Sequence, residues 1–324
     1  MSRFAKVMIA LLAVAVFATP ALADYKFSVY GSARVATFYS DWDGEESFDI
    51  ANQGNSRFGL RGSNGDVSGQ YEVASTGALR LMFGTYKFNG GHLMFGQNYG
   101  AFGLSFMSSQ AYNGDNGFIG YGSLYEGRKP FVKVGLDNGF ALWLSQNAQQ
   151  AQGGPNDGAD LPKLAVSYAG KVEGFSYNAA IGYQSNELVD DSVVVGFNGT
   201  VDLNPASITF GLGYAVNAST YGIAGQAVAP TPAEETTAIF AMLQAAFKLN
   251  ASNTLVAGVG YTEEDRSDLN TEKRISAFIQ NQIAIAPGFT IVPEFSYFET
   301  LDGATVATPE TSTYHVGAKW QINF

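Results

Sequence analysis

The sequence contains no cysteine in its 324 residues and only two histidines. The absence of cysteine excludes a disulfide framework as the source of stability. His92 and His315 lie far apart in the chain and have no acidic neighbours in sequence. Neither a nucleophile motif nor a phosphate-binding motif stands out. We therefore predict a protein that is not an enzyme and that carries no cofactor or metal site.

Basic residues are also few, since 18 Lys and Arg side chains stand against 29 Asp and Glu side chains. The formal net charge is -11 at pH 7. A chain of this sign repels the phosphate backbone of nucleic acids. The composition therefore argues against a nucleic-acid partner.

Beyond residue 23 the sequence has no long apolar run, so it predicts no membrane-spanning helix. The first residues have a different character. Arg3 and Lys6 precede an apolar stretch over 7–19, and a small-residue cleavage site, Ala21-Leu22-Ala23, follows that stretch. This pattern predicts a cleaved signal peptide over residues 1–23 and an exported mature chain over residues 24–324.

Strict alternation of apolar and polar residues is what the sequence has instead. In YHVGAKWQINF (314–324), every second residue is apolar, and the terminal aromatic Phe324 belongs to the same apolar series. Successive side chains of a strand point to opposite faces, so such a segment has one apolar and one polar face. Sixteen segments of this kind follow one another along the mature chain.

Short turns rich in Asn, Gly, Asp and Pro alternate with connections that are mostly longer and polar. The short turns lie at 63–66, 89–91, 137–139, 171–174, 202–205, 250–253 and 286–288. Such turns favour antiparallel hairpins. Short turns at one end and longer loops at the other are typical of outer-membrane barrels. The fold class predicted is all-β, a 16-stranded antiparallel transmembrane β-barrel; a soluble barrel with an apolar core is the alternative.

The chain also resembles a known family over its mature length. The segments that carry the resemblance are DYKFSVYGSARV (24–35), NSRFGLRGS (55–63), HLMFGQNYGAFG (92–103) and the last strand ending in Phe324. In this order they resemble the trimeric general porins of Gram-negative outer membranes. The resemblance implies a water-filled pore in each subunit of a homotrimer. It also implies contacts with outer-membrane lipid and lipopolysaccharide, and a role for Phe324 as the signal read by the barrel-insertion machinery.

In that family the long loop after the fifth strand folds into the barrel and narrows the pore. The corresponding segment here is 98–129, for which an external flap is the alternative. Three features depart from the family pattern. The segment lacks a Pro-Glu-Phe-Gly run, Gln97 stands where many members have Arg, and the second external loop at 75–77 is too short to resemble the usual subunit latch.

If the apolar residues of each alternating segment face lipid, the residues between them line a water-filled lumen. We expect a basic wall formed by Arg34, Arg57, Arg61 and Arg80, with the loop acids Asp115 and Glu126 opposite. Further residues expected to face the lumen are Gln97, Lys133, Lys163 and Arg274. Opposed charges of this kind would set a transverse field that orients dipolar solutes.

The function predicted is passive diffusion of small hydrophilic solutes and ions through the outer membrane. The first alternative is a substrate-selective channel whose binding site is formed by the loop aromatics Phe102, Phe106, Tyr112, Phe118, Tyr121 and Tyr125. An enzyme or adhesin built on a barrel ranks below both. Acidic segments at 41–49, 187–191 and 263–272 are expected in external loops, where they bind divalent cations or water, and the sign of the ion selectivity stays open.

Overall fold

The structure is a computed structural model that describes residues 25–147, 162–185, 191–226, 235–266, 271–302 and 310–324. The predicted signal peptide and most of the acidic segment 187–191 lie outside the described residues. Within them, no helix is long and apolar enough to cross a bilayer.

The described residues form seventeen β-strands in one antiparallel sheet. They are β1 (Lys26–Trp42), β2 (Glu45–Asn52), β3 (Arg57–Asn64), β4 (Val67–Ala74), β5 (Leu79–Phe88), β6 (Gly91–Tyr99), β7 (Arg128–Leu136), β8 (Phe140–Ser145), β9 (Lys163–Val172), β10 (Phe175–Gln184), β11 (Ser192–Asp202), β12 (Ala206–Val216), β13 (Thr236–Lys248), β14 (Asn253–Arg266), β15 (Glu272–Ala286), β16 (Phe289–Asp302) and β17 (Thr311–Asn323). The helical pieces are a 3-10 turn (Leu104–Phe106), α1 (Tyr112–Asp115) and α2 (Ala218–Tyr221).

Strands β2 and β3 are two parts of one wall strand. Residues 35–42 of β1 pair with β2, and residues 26–32 of β1 pair with β3. The interruption at residues 53–56 therefore breaks a single strand beside β1. The wall described here accordingly has sixteen strands, which confirms the predicted number.

The first and last strands close the barrel. Residues 32–42 of β1 pair with residues 313–323 of β17, antiparallel and without a register shift. The backbone of Phe324 adds two hydrogen bonds to Gly31, of 2.8 and 3.1 Å. A Cβ at Gly31 would lie 2.4 Å from the Phe324 ring, so glycine lets that ring cover the strand. Closure leaves no free edge between the first and last strands, as a wall in hydrocarbon requires.

The wall has its apolar face outside and its polar face inside. On β16, Glu294 and Ser296 are buried at 4% and 0% exposure, whereas Phe295 between them is 44% exposed. On β15, Gln280 is 2% exposed and the adjacent Ile279 is 47% exposed. A soluble sheet buries the apolar residues and exposes the polar ones. The reversed pattern confirms the predicted lipid-facing parity over the soluble-barrel alternative.

All seven predicted short turns connect neighbouring strands of the wall. The predicted external loop at 41–49 is wrong, because β1 and β2 continue through it and turn only at Asp43 and Gly44. The segment 263–272 is also partly strand, since β14 runs to Arg266 and β15 begins at Glu272. Strand pairing continues through these polar segments, so polarity alone did not locate the strand ends.

One irregularity decides where a key arginine points. Glu72 pairs with Leu81 and Val73 pairs with Leu79, so Arg80 is the extra residue of a β-bulge. Both Arg80 and Leu81 are therefore buried, each at 6% exposure. A bulge re-aims a side chain in this way.

Candidate functional site

Residues 100–127, here called the inner segment, connect β6 to β7 and hydrogen-bond to the inward face of distant strands. Ser109 donates from its amide and hydroxyl to Gln244 on β13, at 2.8 and 2.9 Å. Gln280 on β15 donates back to the Ser109 carbonyl at 3.1 Å. The amides of Ala111 and Tyr112 donate to the Glu294 carboxylate at 2.6 and 2.9 Å. The inner segment therefore lies against the inner face of the wall.

Asp115 joins the inner segment to the first and last strands. Its carboxylate accepts a hydrogen bond from Lys319 at 2.7 Å and one from Asn55 at 2.6 Å. It also forms a salt bridge with Arg34. Asp115 is therefore in direct contact with the predicted basic wall. Its expected position across an open lumen from Arg34 is wrong, because α1 brings the carboxylate onto that wall.

Apolar residues fix the other side of the inner segment. Phe102, Phe106 and Leu124 are at most 2% exposed. They pack on small and branched apolar residues that β9–β13 turn inward, namely Ala165, Ala180, Val194, Ala215 and Ala238. Phe118 is likewise fully buried, in a second cluster with Met242, Val256 and Phe278. These three phenylalanines hold the segment in place. Because they are buried, they do not form a binding site for a solute.

Glu126 is a buried anchor. The expectation that it faces the lumen is wrong. Its carboxylate lies 3.2 Å from the Lys163 ammonium on β9 and 3.3 Å from that of Lys129. It also accepts the Phe102 amide at 3.1 Å. Burial raises the pKa of Glu126, but the two ammonium groups and the amide lower it, and the net pKa lies below the usual range. Lys163 has no exposed surface, so it too is enclosed.

A second loop reinforces this anchor. Lys163 donates to the Tyr221 carbonyl and stands 4.0 Å from the centre of the Tyr221 ring. Tyr221 ends α2, and the following Ala224 amide donates to the Tyr125 carbonyl at 2.8 Å. Arg274 on β15 then holds the Gly225 carbonyl at 2.6 Å. Residues 217–226 therefore brace the inner segment against the wall, an element that the sequence did not predict.

The remaining predicted arginines surround a buried acid. Glu72 is 1% exposed and accepts a hydrogen bond from Arg80 at 2.7 Å. Arg57 approaches the same carboxylate at 3.8 Å, and Tyr30 donates to it at 2.8 Å. The Arg61 guanidinium lies over the Tyr30 ring, 4.4 Å from its centre. Arg57 and Arg80 thus share one acid, and Arg61 is linked to it through Tyr30.

The other predicted residues have different surroundings. Lys133 lies over the Trp143 ring at 4.4 Å, and Arg274 forms salt bridges with Glu264 and Glu272. Gln97 pairs in register with Met82 and Pro130, both exposed. The register thus places Gln97 on the outward parity, against the expectation. Its amide donates to the Leu79 carbonyl at 3.0 Å.

Charge along this side of the interior is predominantly positive. The basic side chains are Arg34, Arg57, Arg61, Arg80 and Lys319, and the acids that contact them are Glu72 and Asp115. Five basic groups against two acids leave an excess of three positive charges. Lys319 shares the inward parity of the last strand with His315, so the alternation in 314–324 could have identified it. The same alternation places Glu72 and Glu294 on the inward face, but it does not identify the groups that they contact.

A cavity of about 640 Å³ lies at the edge of the basic wall, and Arg80 is the member of that wall that lines it. It lies among the inward faces of β1 and β2, α1, Arg80 and Arg128. His315 lies nearby, buried against the Tyr112 ring at 3.5 Å and bonded to Ser40 at 2.7 Å. No group of three or more His, Asp or Glu side chains in the described part of the chain is arranged to hold a metal ion.

Comparison with known proteins gives a consistent result for the architecture. The DcaP channel of Acinetobacter baumannii is 18% identical with a TM-score of 0.69, over 93% of this chain and 98% of that one. An anion-selective porin from Comamonas acidovorans is 12% identical with a TM-score of 0.62, over 92% and 100%. OmpF of Salmonella typhi, in a complex with daunomycin, is 15% identical with a TM-score of 0.64, over 92% and 98%.

The chain has the porin fold. The resemblance seen in the sequence is thereby confirmed for the architecture of the sixteen-stranded barrel. No protein-family profile and no curated protein matches the sequence. At identities of 12–18% the likeness concerns the fold.

Proposed function

We propose that this porin fold forms a passive channel for small hydrophilic solutes and ions in the bacterial outer membrane. The observation that carries the proposal is the inverted wall, with Glu294, Ser296 and Gln280 inside and Phe295 and Ile279 outside. Such a wall is stable in a membrane only if the interior meets water or polar groups. The cavity lined in part by Asp49, Arg80 and Arg128 would supply that environment.

The inner segment would narrow the channel on one side. Its apolar residues fill the half of the interior next to β9–β13, so solutes would pass along the half that carries the arginines. A few charges in a narrow passage with low-dielectric walls dominate the local potential. We therefore expect the charged residues to control which ions pass.

Export and assembly are part of the same proposal. Residues 1–23 would be removed on export, and the mature barrel would assemble as a homotrimer in contact with lipid and lipopolysaccharide. Phe324 would be read by the barrel-insertion machinery. In support, Phe324 completes the last strand through its hydrogen bonds with Gly31 and leaves its ring 68% exposed on the outer surface.

Conductance in planar lipid bilayers tests the channel directly. Purified, folded protein should produce stepwise, ohmic current increases in potassium chloride. Folded barrels that insert into the bilayer without carrying current would contradict the proposal. Chemical cross-linking in detergent tests the homotrimer separately, since a channel can conduct as a monomer.

A further inference from the structure

We propose that the 640 Å³ cavity is a binding subsite for an uncharged sugar, with Trp42 as its stacking surface. The inference rests on the proposed function, because a solute would reach the cavity along the channel. It concerns residues other than the phenylalanines of the inner segment. The cavity lies at the end of the barrel where β1 turns into β2.

The aromatic side of the cavity is formed by Phe38, Trp42 and Tyr112. Tyr112 is held in place, because His315 stacks on it at 3.5 Å and Phe38 meets it edge-on at 5.2 Å. Trp42 meets His315 edge-on at 6.5 Å and is 57% exposed. An exposed indole at the border of a cavity offers a flat apolar surface beside polar groups. The C–H face of a sugar ring is a matching ligand surface.

The polar side of the cavity offers both donors and acceptors. Ser47 and Asp49 are in register with Ser40 and Phe38, so all four share the inward face of the β1–β2 hairpin. Across the cavity stands Arg128. Sugar hydroxyls both donate and accept, so they can use a carboxylate, a hydroxyl and a guanidinium together. A solute that only donates or only accepts would leave part of this set unpaired.

The charges of the cavity favour a neutral ligand. Asp49 and Arg128 form no salt bridge with any residue that the structure describes, and their charges are opposite. Arg80 also borders the cavity, but its charge is matched by Glu72 at 2.7 Å. An ionic solute of either sign would therefore meet one repelling group. A neutral ring would meet none and would still find its hydrogen-bond partners.

The size of the cavity also fits a small sugar. A volume of about 640 Å³ lies within the usual range for ligand pockets, roughly 300 to 1,000 Å³. Tyr112 and Gly114 of the inner segment form one boundary. The site thus requires the inner segment in its observed place.

Tryptophan fluorescence can test this subsite without relying on conductance. The chain has three tryptophans, so the double variant Trp143→Phe/Trp320→Phe leaves Trp42 as the single indole emitter. Titration with glucose and maltose should change its emission saturably. Adding Asp49→Ala should weaken binding about tenfold. The matched control Phe48→Ala lies between Ser47 and Asp49 but faces outward at 65% exposure, and it should leave the affinity unchanged.

Charged sugars of the same size decide the ligand class. Glucuronate and glucosamine should each bind several-fold more weakly than glucose. Tenfold tighter binding of glucuronate would overturn the neutral class in favour of an anion site. Emission that no sugar changes, in protein that conducts normally, would overturn the subsite and leave the channel standing. Saturable sugar binding to protein that never conducts would overturn the proposed function alone.

Discussion

The two halves of the inner wall differ in chemistry. Strands β9–β13 turn alanines and a valine inward, and the inner segment covers them with Phe102, Phe106 and Leu124. Strands β17, β1, β3 and β5 turn charged groups inward, and around them lies the polar cavity. One half is therefore an apolar packed core, while the other half is a network of paired charged groups beside a cavity.

This difference explains where an open path can lie. Charged groups lose hydration energy when they are packed, so they favour a water-filled neighbour. Burial of small apolar residues is favourable, and it fixes the apolar part of the inner segment against β9–β13. In the proposed channel, the apolar half would position the segment and the charged half would contact the solute. Variants in one half, in the other and at the border between them test this division.

The largest effect is expected from Phe102→Ala in the packed half. Phe102 is fully buried between Phe106 and Tyr221, so its removal leaves a cavity that lowers the free energy of unfolding by about 4 kcal/mol. Urea unfolding in lipid vesicles measures this change, and single-channel conductance should rise as the segment loosens. Phe48→Ala, at an exposed position, serves as the control. Equal stability of the two variants would contradict the packed-half description.

A somewhat smaller loss, about 3 kcal/mol, is expected from Glu126→Gln. The substitution leaves the enclosed Lys163 without its closest carboxylate, and an unpaired buried charge is strongly unfavourable. The same unfolding measurement applies. Adding Lys163→Met removes the stranded charge and should recover part of the loss. A double variant less stable than Glu126→Gln would show that Lys163 does not depend on this acid.

Acid should weaken the same anchor. The pKa of Glu126 is lowered in the folded protein, so its contribution is complete above the ordinary carboxyl range. That contribution is lost as the pH falls through the lowered pKa. The stability difference between the wild type and Glu126→Gln should therefore shrink in acid. A difference that stays constant from pH 7 to pH 3 would contradict the ion pair.

A moderate effect on ion selectivity is expected in the charged half. Neutralising Arg34, Arg57 and Arg80 to Gln removes three of five basic groups, so the permeability ratio should shift several-fold toward cations. Reversal potentials in a salt gradient measure the ratio. Lys171→Gln and Lys248→Gln, exposed near short turns at the other end, form the control pair. An unchanged permeability ratio would show that these three arginines do not control the ion selectivity.

The wall could be predicted from the sequence because alternation is a local property. Each strand repeats its apolar parity, and each short turn carries its own Asn, Gly, Asp or Pro. The strand at 45–52 was missed, since polar residues there resemble a loop. The bulge at Arg80 was missed too, although it accounts for the inward direction of that side chain.

The site was less predictable because its partners are distant in sequence. Asp115 meets Lys319 across 204 residues, and Ala111 meets Glu294 across 183. Both loop acids were recognised as candidates, yet neither takes the expected place across a lumen. The alternation along a strand predicts which face of the wall a residue occupies. Its contacts with the inner segment depend on how that segment folds. The small apolar residues of β9–β13 were the available signal, since alanine on an inward face leaves space for a covering segment.

The smallest effect is expected from Asp115→Asn, at the border between the halves. Asp115 is 28% exposed, so losing its salt bridges should lower the free energy of unfolding by less than about 1 kcal/mol. The selectivity should respond more clearly, because Arg34 and Lys319 lose the acid that they share, and the permeability ratio should move toward anions. This shift is opposite to that of the arginine variant and is measured in the same gradient. Asp66→Asn, in the turn between β3 and β4, is the control. A shift toward cations would mean that the Asp115 carboxylate does not offset the positive charge of Arg34 and Lys319. Glu72 would then be the acid around which the charged half is organised.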